Sequence, residues 1–221
     1  MKTSPVRHPD TLLLLFAREP VTGRVKTRLQ PALGEADTLR LHEDLTRHMA
    51  RTVAGSGQCQ WRFCVAGDPT HPLFTALTRS GNGLPPLAQQ GEDLGERMHN
   101  AVHTALAGHE QVILLGADCA SVDASYLEQA VMALRTAQDV VLGPAEDGGY
   151  VLLGLKSDRW PLFADMPWGT ASVVSQTRER LRGASACWSE LPPRWDVDRP
   201  EDLGRLAGLP QWLGDSAPPV V

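Results

Sequence analysis

The sequence predicts a three-layered α/β domain, with helices on both faces of a mostly parallel central sheet. Strand-like apolar runs alternate with helix-like stretches over a core of about residues 11–208, which is the pattern of βαβ units. No stretch has the composition of a linker, so we expect residues 1–221 to form one domain with six or seven strands. The last residues, GDSAPPVV, are expected to form a loose tail.

The central strand is expected at Val112–Leu115, because four consecutive apolar residues are typical of a strand buried on both faces. Another strand directly follows the turn signal Asp147-Gly148-Gly149. That strand is expected at Gly149–Leu155. The remaining strands are expected at Thr11–Ala17, Trp61–Ala66, Pro85–Gln89, Asp139–Gly143 and Ser185–Leu191.

The first long helix is predicted at residues 35–54 by apolar residues that recur every four positions: Leu41, Leu45, Met49 and Val53. Two further helix starts are predicted by capping pairs, Asp93 with Glu96 and Ser125 with Glu128. The remaining helices are expected at Pro72–Thr78, from a Thr170 cap to about Leu181, and at Asp202–Gly208.

The composition excludes several classes of protein. A net charge of -5 argues against a general nucleic-acid or membrane surface, and no apolar run is long enough to span a membrane. The amino-terminal run Leu12–Ala17 is too short for a signal-peptide core, and the four cysteines form no CxxC pair. We therefore expect a cytoplasmic protein with free thiols.

A basic loop follows the first strand. Four cations, Arg18, Arg24, Lys26 and Arg28, lie within eleven residues, and Gly23 permits a tight backbone path. Such a loop suits a di- or triphosphate, although a solvated surface loop explains the charges equally well. Neither GxxxxGK[ST] nor GxGxxG occurs, which excludes a Walker loop and argues against a dinucleotide-dependent dehydrogenase.

A Gln- and Gly-containing segment, QQGEDLGERM, precedes a predicted helix. Gln90 and Gly91 are candidates to contact the base or sugar of a nucleotide, and a well-capped helix start is the alternative. Trp168 is a candidate for stacking on a ligand, with core packing as its alternative.

Carboxylates follow the ends of predicted strands. Asp118 stands just after the central strand, where α/β sheets bind ligands, unless it caps a loop or the next helix. Asp147 follows another strand end. Asp196 and Asp198 are two residues apart, so both point the same way on an extended segment and can present oxygens to one cation, although the same segment also resembles a helix start.

Taken in order, these segments resemble one family. The stretches FAREPVTGRVKTRL, QQGEDLGERM, LLGADCAS, VLGPAEDGGYVLLGL, PWGTASVV and WDVDRPEDL are similar to those of the DUF2064 group, within the nucleotide-diphospho-sugar transferase superfamily of GT-A, Rossmann-like fold. That group is often labelled a radical-SAM/selenodomain-associated or arsenosugar-biosynthesis glycosyltransferase. The layout is more distantly similar to molybdenum-cofactor nucleotidyltransferases and phospholactate guanylyltransferases.

The resemblance implies roles for particular residues. Lys26 and Arg28, with Arg18, would hold nucleotide phosphates, and Asp147 would face the acceptor. Asp118 would bind Mg²⁺, with Mn²⁺ as an alternative, and Asp198 or Asp196 would complete the metal site. The chain departs from the group at Ala120, where proline is usual, and at Arg18, where lysine is usual.

The sequence thus predicts a Mg²⁺-dependent transferase that uses a nucleotide-sugar or nucleoside triphosphate donor and a small-molecule acceptor. The family label favours glycosyl transfer. The basic loop and the single aspartate at the central strand suit nucleotidyl transfer as the alternative, and a non-catalytic nucleotide-binding module is a third reading. If one cation links them, the Asp118 and Asp198 carboxylates should lie within about 8 Å of each other.

Overall fold

A computed structural model describes residues 6–79, 83–209 and 212. The predicted loose tail, residues 214–221, lies outside the described residues. The strands are β1 Thr11–Arg18, β2 Gln60–Ala66, β3 Leu87–Ala88, β4 Gln111–Gly116, β5 Val140–Pro144, β6 Tyr150–Leu155 and β7 Trp188–Glu190. The helices are α1 Gln30–Ser56, α2 Pro72–Thr78, α3 Leu94–Leu106, α4 Ala124–Arg135, α5 Val173–Gly183 and α6 Pro200–Ala207, and a 3₁₀ turn, Thr27–Leu29, precedes α1.

The strands form one seven-stranded sheet in the order β3-β2-β1-β4-β6-β5-β7. Every neighbouring pair is parallel except the two pairs that involve β6, which runs antiparallel to both β4 and β5. Only residues 145–149 separate β5 from β6, whereas a crossover between parallel strands needs about a dozen residues. The predicted mostly parallel α/β fold is confirmed, with one hairpin inserted beside the central strand.

Alternate residues of β1 enter two different cores, as the period of a strand requires. Leu13 and Leu15 pack on the face covered by α1, α2 and α4, and Leu12 and Leu14 pack on the face covered by α3 and α5. The predicted apolar stripe of α1 is buried along its whole length: Leu41, Leu45, Met49 and Val53. A third cluster joins α1 to α6 through Leu29, Leu41, Leu203 and Leu206.

The pairing of β1 with β4 decides where the polar loops meet. Leu12 to Phe16 pair in register with Val112 to Gly116. Arg18 and Asp118 therefore each stand two residues beyond the last matched pair, on neighbouring strands. The carboxyl ends of these strands bring the basic loop and Asp118 to the same edge of the sheet.

Several helix starts differ from the predicted ones. Asp93 caps α3 as expected, accepting from the Glu96 N–H at 2.8 Å. Asp123, and not Ser125, caps α4, because its carboxylate accepts from the Tyr126 N–H at 2.8 Å. Thr170 does not cap α5, because the helix begins at Val173. The Thr170 hydroxyl donates instead to the Pro167 carbonyl in the preceding turn.

Among the described residues no helix is long and apolar enough to cross a membrane. All four cysteines, Cys59, Cys64, Cys119 and Cys187, are free thiols, as the sequence predicts.

Gly95 fixes α3 against the loop that precedes α5. A Cβ at this position would lie 2.3 Å from the Phe163 carbonyl oxygen and 2.7 Å from the Trp168 indole nitrogen. We expect Gly95→Ala to lower the free energy of unfolding by about 1–3 kcal/mol through overpacking. Gly204→Ala, in α6, is the matched control because its Cβ would meet nothing within 4 Å; it should stabilise by about 0.5–1 kcal/mol. Denaturant unfolding of both variants tests this, and equal effects would contradict it.

Candidate active site

The basic loop is held to the domain by two buried apolar residues, Val25 and Leu29. Between them, Lys26 has a left-handed backbone with φ 44°, a conformation that is uncommon for a non-glycine residue. Gly23, with φ 77°, makes the preceding turn. The loop and the first residues after β1 and β4 enclose a cleft of about 290 Å³ that Arg18, Arg24, Lys26, Arg28, His42 and Asp118 line.

Lys26 is the buried centre of an ion-pair cluster. Its ammonium nitrogen lies 2.5 Å from Asp118 Oδ2 and 3.7 Å from Asp198 Oδ1, and its side chain is only 8% exposed. Burial disfavours both charges, but the ion pair outweighs it, so the pKa of Lys26 is raised and that of Asp118 is lowered. Arg28 forms a second ion pair with Asp198.

The segment that carries Asp196 and Asp198 is fastened to the loop after β4. The Ser121 hydroxyl donates to the Trp195 carbonyl at 2.5 Å and accepts from the Trp195 N–H at 3.0 Å. The Val197 N–H donates to the Asp118 carbonyl at 3.2 Å. These bonds bring residues about eighty positions apart in sequence to the edge where Asp118 lies.

The predicted proximity of Asp118 and Asp198 is observed. Both carboxylates contact the same ammonium, and the distances of 2.5 and 3.7 Å together set the largest possible separation of the two oxygens. This separation is well within the predicted limit of about 8 Å. Asp118 does not cap α4, since Asp123 does, so the helix-cap alternative for Asp118 does not apply.

Asp196 is the carboxylate of this cluster that remains poorly neutralised. Burial raises its pKa, and the negative charges of Asp118 and Asp147 raise it further, to about 7, against the opposing effect of Lys26. Near neutral pH this carboxyl group is therefore poised to lose its proton if a cation approaches.

A second cleft, of about 440 Å³, meets the first at Arg18 and Asp118. Gln89, Arg97, Asp147 and Thr170 contribute its polar lining, and Met98, Tyr150 and Trp168 form an apolar part. Trp168 packs edge to face on Tyr150 with ring centroids 6.1 Å apart, which is the packing alternative considered for it. Because Trp168 also lines this cleft, its stacking on a ligand stays a prediction. Two clefts that share one carboxylate can hold two reactants next to each other.

Two predicted nucleotide contacts, Gln90 and Gly91, are placed away from the lining of these two clefts. Gln90 lines a separate groove beside β2, and its carbonyl accepts from the Asn100 side chain at 2.9 Å. Gly91 lies where the loop presses on α3. Gln89 lines the second cleft instead, because its amide donates to the Cys64 carbonyl at 2.9 Å on the neighbouring strand.

Sequence reasoning also missed His42. This histidine of α1 lines the first cleft, and its Nε2 lies 2.9 Å from the Arg18 carbonyl oxygen. Burial lowers its pKa, so the ring is neutral at pH 7 and ties α1 to the end of β1. Arg97, described below, was missed as well. His42 carries no sequence signal beyond its position within an amphipathic helix, whereas Arg97 lies inside the segment QQGEDLGERM, in which only Gln90 and Gly91 were named as candidates.

The donor atoms around Asp118 fit a hard divalent cation only in part. Within residues 6–79, 83–209 and 212, no three His, Cys, Asp or Glu side chains are arranged as a ready metal site. The side chains of Asp118, Asp196 and Asp198 nevertheless offer only oxygen donors. Mg²⁺ is commonly held by one or two carboxylates together with substrate phosphates, a requirement that this cluster meets.

The charge on Asp196 predicts a stability change with pH. Its folded pKa of about 7 exceeds the ordinary 3.8, so folding takes up a proton between these values and stability falls as pH rises through this window. Asp196→Asn should therefore raise Tm at pH 7.5 by more than about 2–4 °C, the shift that 1 kcal/mol produces in a domain of this size, and raise it less at pH 5. Asp37→Asn, at an exposed position of α1, is the control. A pH-independent effect of Asp196→Asn would contradict the assignment.

Comparison with known proteins places these features in one family. Residues 49–170 match the family model described as "Uncharacterized protein conserved in bacteria (DUF2064)". The 3-phospho-D-glycerate guanylyltransferase of Phenylobacterium zucineum (strain HLK1) is 27% identical over 192 residues, which cover 84% of this chain and 85% of that protein.

Solved structures agree on the fold. A protein of Desulfovibrio desulfuricans G20 that is assigned to the nucleotide-diphospho-sugar transferases is 31% identical, with a TM-score of 0.76 over 86% of this chain and 83% of that one. The 4-diphosphocytidyl-2C-methyl-D-erythritol synthase of Anaerococcus prevotii DSM 20548 shares the fold at 8% identity, with a TM-score of 0.57 over 87% and 94% of the two chains.

The guanylyltransferase and the D. desulfuricans protein are named as transferases that act with nucleotides, and they bear out the prediction that this chain is a transferase with a nucleotide donor. The family match covers more than half of the chain, and the predicted fold is observed. The chain belongs to the DUF2064 family and has the nucleotide-diphospho-sugar transferase fold.

Proposed function

We propose that this protein is a nucleotidyltransferase, which transfers a nucleoside monophosphate from a nucleoside triphosphate to a small phosphorylated acceptor. The observation that carries the proposal is the first cleft, where a loop with four cations meets Asp118 at the end of the central strand. Its expected setting is the cytoplasm, where nucleoside triphosphates are abundant.

The charges of the loop divide into two groups. Lys26 and Arg28 are already paired with aspartates. Arg18 and Arg24 line the same cleft, and neither makes an ion pair with any residue that the structure describes. Two guanidinium groups without a carboxylate partner suit the non-bridging oxygens of a triphosphate, which they can bind through charge-assisted hydrogen bonds.

Two candidate reactions share this cleft. The guanylyltransferase relative favours nucleotidyl transfer, and the assignment of the D. desulfuricans protein favours sugar transfer from a nucleotide-sugar. The number of cations on the loop supports a triphosphate donor over a diphosphate one. We therefore place nucleotidyl transfer first and glycosyl transfer second.

In the proposed reaction, an oxygen of the acceptor phosphate forms a bond to the α-phosphorus of the donor. The bond from that phosphorus to the β-phosphate oxygen breaks, and pyrophosphate leaves with the electron pair. Arg18 and Arg24 would hold the phosphates that leave, and Lys26 would keep the carboxylates of Asp118 and Asp198 neutralised beside the reacting centre. Positioning and charge neutralisation supply the rate enhancement, so no covalent nucleophile is required.

A divalent cation is part of the proposal, with Mg²⁺ expected and Mn²⁺ as the alternative. Asp118 and Asp198, or Asp196 in place of Asp198, would hold it. When bound, the cation neutralises charge on phosphate oxygens. Asp147 lines the second cleft and is proposed to face the acceptor.

Product analysis separates the two candidate reactions. ³¹P NMR of the protein with GTP or another nucleoside triphosphate, Mg²⁺ and 3-phospho-D-glycerate should show pyrophosphate and a new phosphoanhydride linkage, that of a diphosphate diester. Incubation with nucleotide-sugars should yield no nucleoside diphosphate above a protein-free control. Turnover of a nucleotide-sugar alone would favour glycosyl transfer, and binding of nucleotides with no turnover of either donor would favour the binding-module reading.

Arg24 and Lys26 should differ in their contributions to nucleotide binding and to thermal stability. Arg24→Ala should weaken binding of a nucleoside triphosphate about 10- to 100-fold without changing Tm, because it removes one charge-assisted hydrogen bond to the ligand and no ion pair with a described residue. Lys26→Ala should weaken binding and also lower Tm, because it leaves the Asp118 carboxylate without its partner. Calorimetric titration and thermal unfolding measure the two effects. Wild-type binding by Arg24→Ala would show that Arg24 does not contact the phosphates of the donor.

A further inference from the structure

Arg97 places a fixed positive charge in the second cleft. It belongs to the first turns of α3, where its Nε donates to the Gly91 carbonyl at 2.9 Å and one terminal nitrogen donates to the Glu92 carbonyl at 3.2 Å. It makes no ion pair within the part of the chain that the structure describes, although it lines the cleft that contains Asp118. Its charge is therefore available to a ligand.

The loop that holds the Arg97 guanidinium cannot move away easily. Gly91 has φ 136°, and a Cβ there would lie 2.7 Å from Glu96 Cβ and 2.9 Å from the Arg97 backbone nitrogen. The Glu92 N–H donates to the Glu96 carboxylate at 2.8 Å. The segment is thus pressed onto the start of α3, and two of the guanidinium nitrogens are fixed by backbone carbonyls.

The second cleft has two distinguishable parts. Arg18 and Asp118 belong to both clefts and mark the junction, where the donor and acceptor would react. Arg97, Met98 and Trp168 line the second cleft alone. A volume of about 440 Å³ is large enough for a small molecule, and both the junction and Arg97 belong to its lining.

We propose that the acceptor is a small phosphorylated carboxylic acid, whose phosphate lies at the junction and whose carboxylate is bound by Arg97. This inference rests on the proposed function, because a phosphate that attacks the donor must lie beside Asp118. The opposite end of the acceptor then lies in the part of the cleft that Arg97 lines. A planar guanidinium that pairs with no carboxylate among the described residues matches the geometry of a ligand carboxylate. Arg97 is thus the residue that selects a second anionic group on the acceptor.

Two probes isolate this contact. 3-Phospho-D-glycerate and glycerol 3-phosphate differ only in a carboxylate that is replaced by a hydroxymethyl group. The wild-type protein should use phosphoglycerate with a kcat/KM about 10- to 100-fold higher, the ratio that one charge-assisted hydrogen bond produces. Arg97→Met should reduce this preference to about unity while leaving the KM for the nucleoside triphosphate unchanged.

Two further variants control for structural damage. Arg97→Lys keeps a positive charge and should keep a measurable preference for phosphoglycerate, although a smaller one because the planar fork is lost. Arg40→Met, on the exposed side of α1, removes an arginine that pairs only with Asp37 among the described residues and should keep the full preference. An unchanged preference in Arg97→Met, or an equal loss in Arg40→Met, would overturn the proposal.

Binding without turnover separates this inference from the proposed function. Calorimetric titration of 3-phospho-D-glycerate into the wild-type protein and Arg97→Met, in the presence of Mg²⁺ and the α,β-methylene analogue of the triphosphate, needs no chemical step. Binding about 10- to 100-fold weaker in the variant supports the role of Arg97 even if no nucleotidyl transfer occurs. Nucleotidyl transfer with equal acceptor binding by the two proteins would refute the role of Arg97 and leave the proposed function intact.

Discussion

The buried ion pair between Lys26 and Asp118 is the interaction on which the rest of the site depends. It joins the loop after β1 to the end of β4, and its ammonium also reaches Asp198, which precedes α6. Three parts of the chain that are distant in sequence therefore share one charge. Because the Lys26 side chain is almost fully buried and Asp118 is about a third exposed, removing either partner leaves a charge that water only partly solvates.

The position of the Lys26 ammonium determines the charge balance of the acidic cluster formed by Asp118, Asp196 and Asp198. Two carboxylates at one edge of the sheet, Asp118 and Asp198, would repel each other if no cation lay between them. The Lys26 ammonium instead lies between them, so their repulsion is largely neutralised. Asp196 is the aspartate whose negative charge is disfavoured. Burial is the larger cause and the charge of Asp118 the next, and the pKa of Asp196 is raised to about 7. The cluster is thus close to neutral and still able to accept a further positive charge.

Much of the fold was predictable, because apolar runs and periodicity are local signals. The buried run before Gly116 identified the central strand, and parallel pairing then placed Arg18 and Asp118 side by side. Contacts between distant side chains were not predictable. No local pattern shows that Ser121 holds the segment before Asp196, or that backbone carbonyls hold Arg97 in the second cleft. The sequence also did not show which of two adjacent glutamines lines the second cleft, where Gln89 and not Gln90 is found.

The central claim is that Asp118 belongs to the reacting centre, and its removal tests this most directly. Pyrophosphate release from a nucleoside triphosphate, dependent on acceptor and Mg²⁺, should be compared in Asp118→Asn and Asp123→Asn. Asp123 caps α4 a few residues away, so its replacement costs stability without touching either cleft. The account predicts that Asp118→Asn loses at least about 10²–10³-fold in kcat while remaining folded, and that Asp123→Asn keeps the wild-type rate. Wild-type turnover by Asp118→Asn would contradict the account.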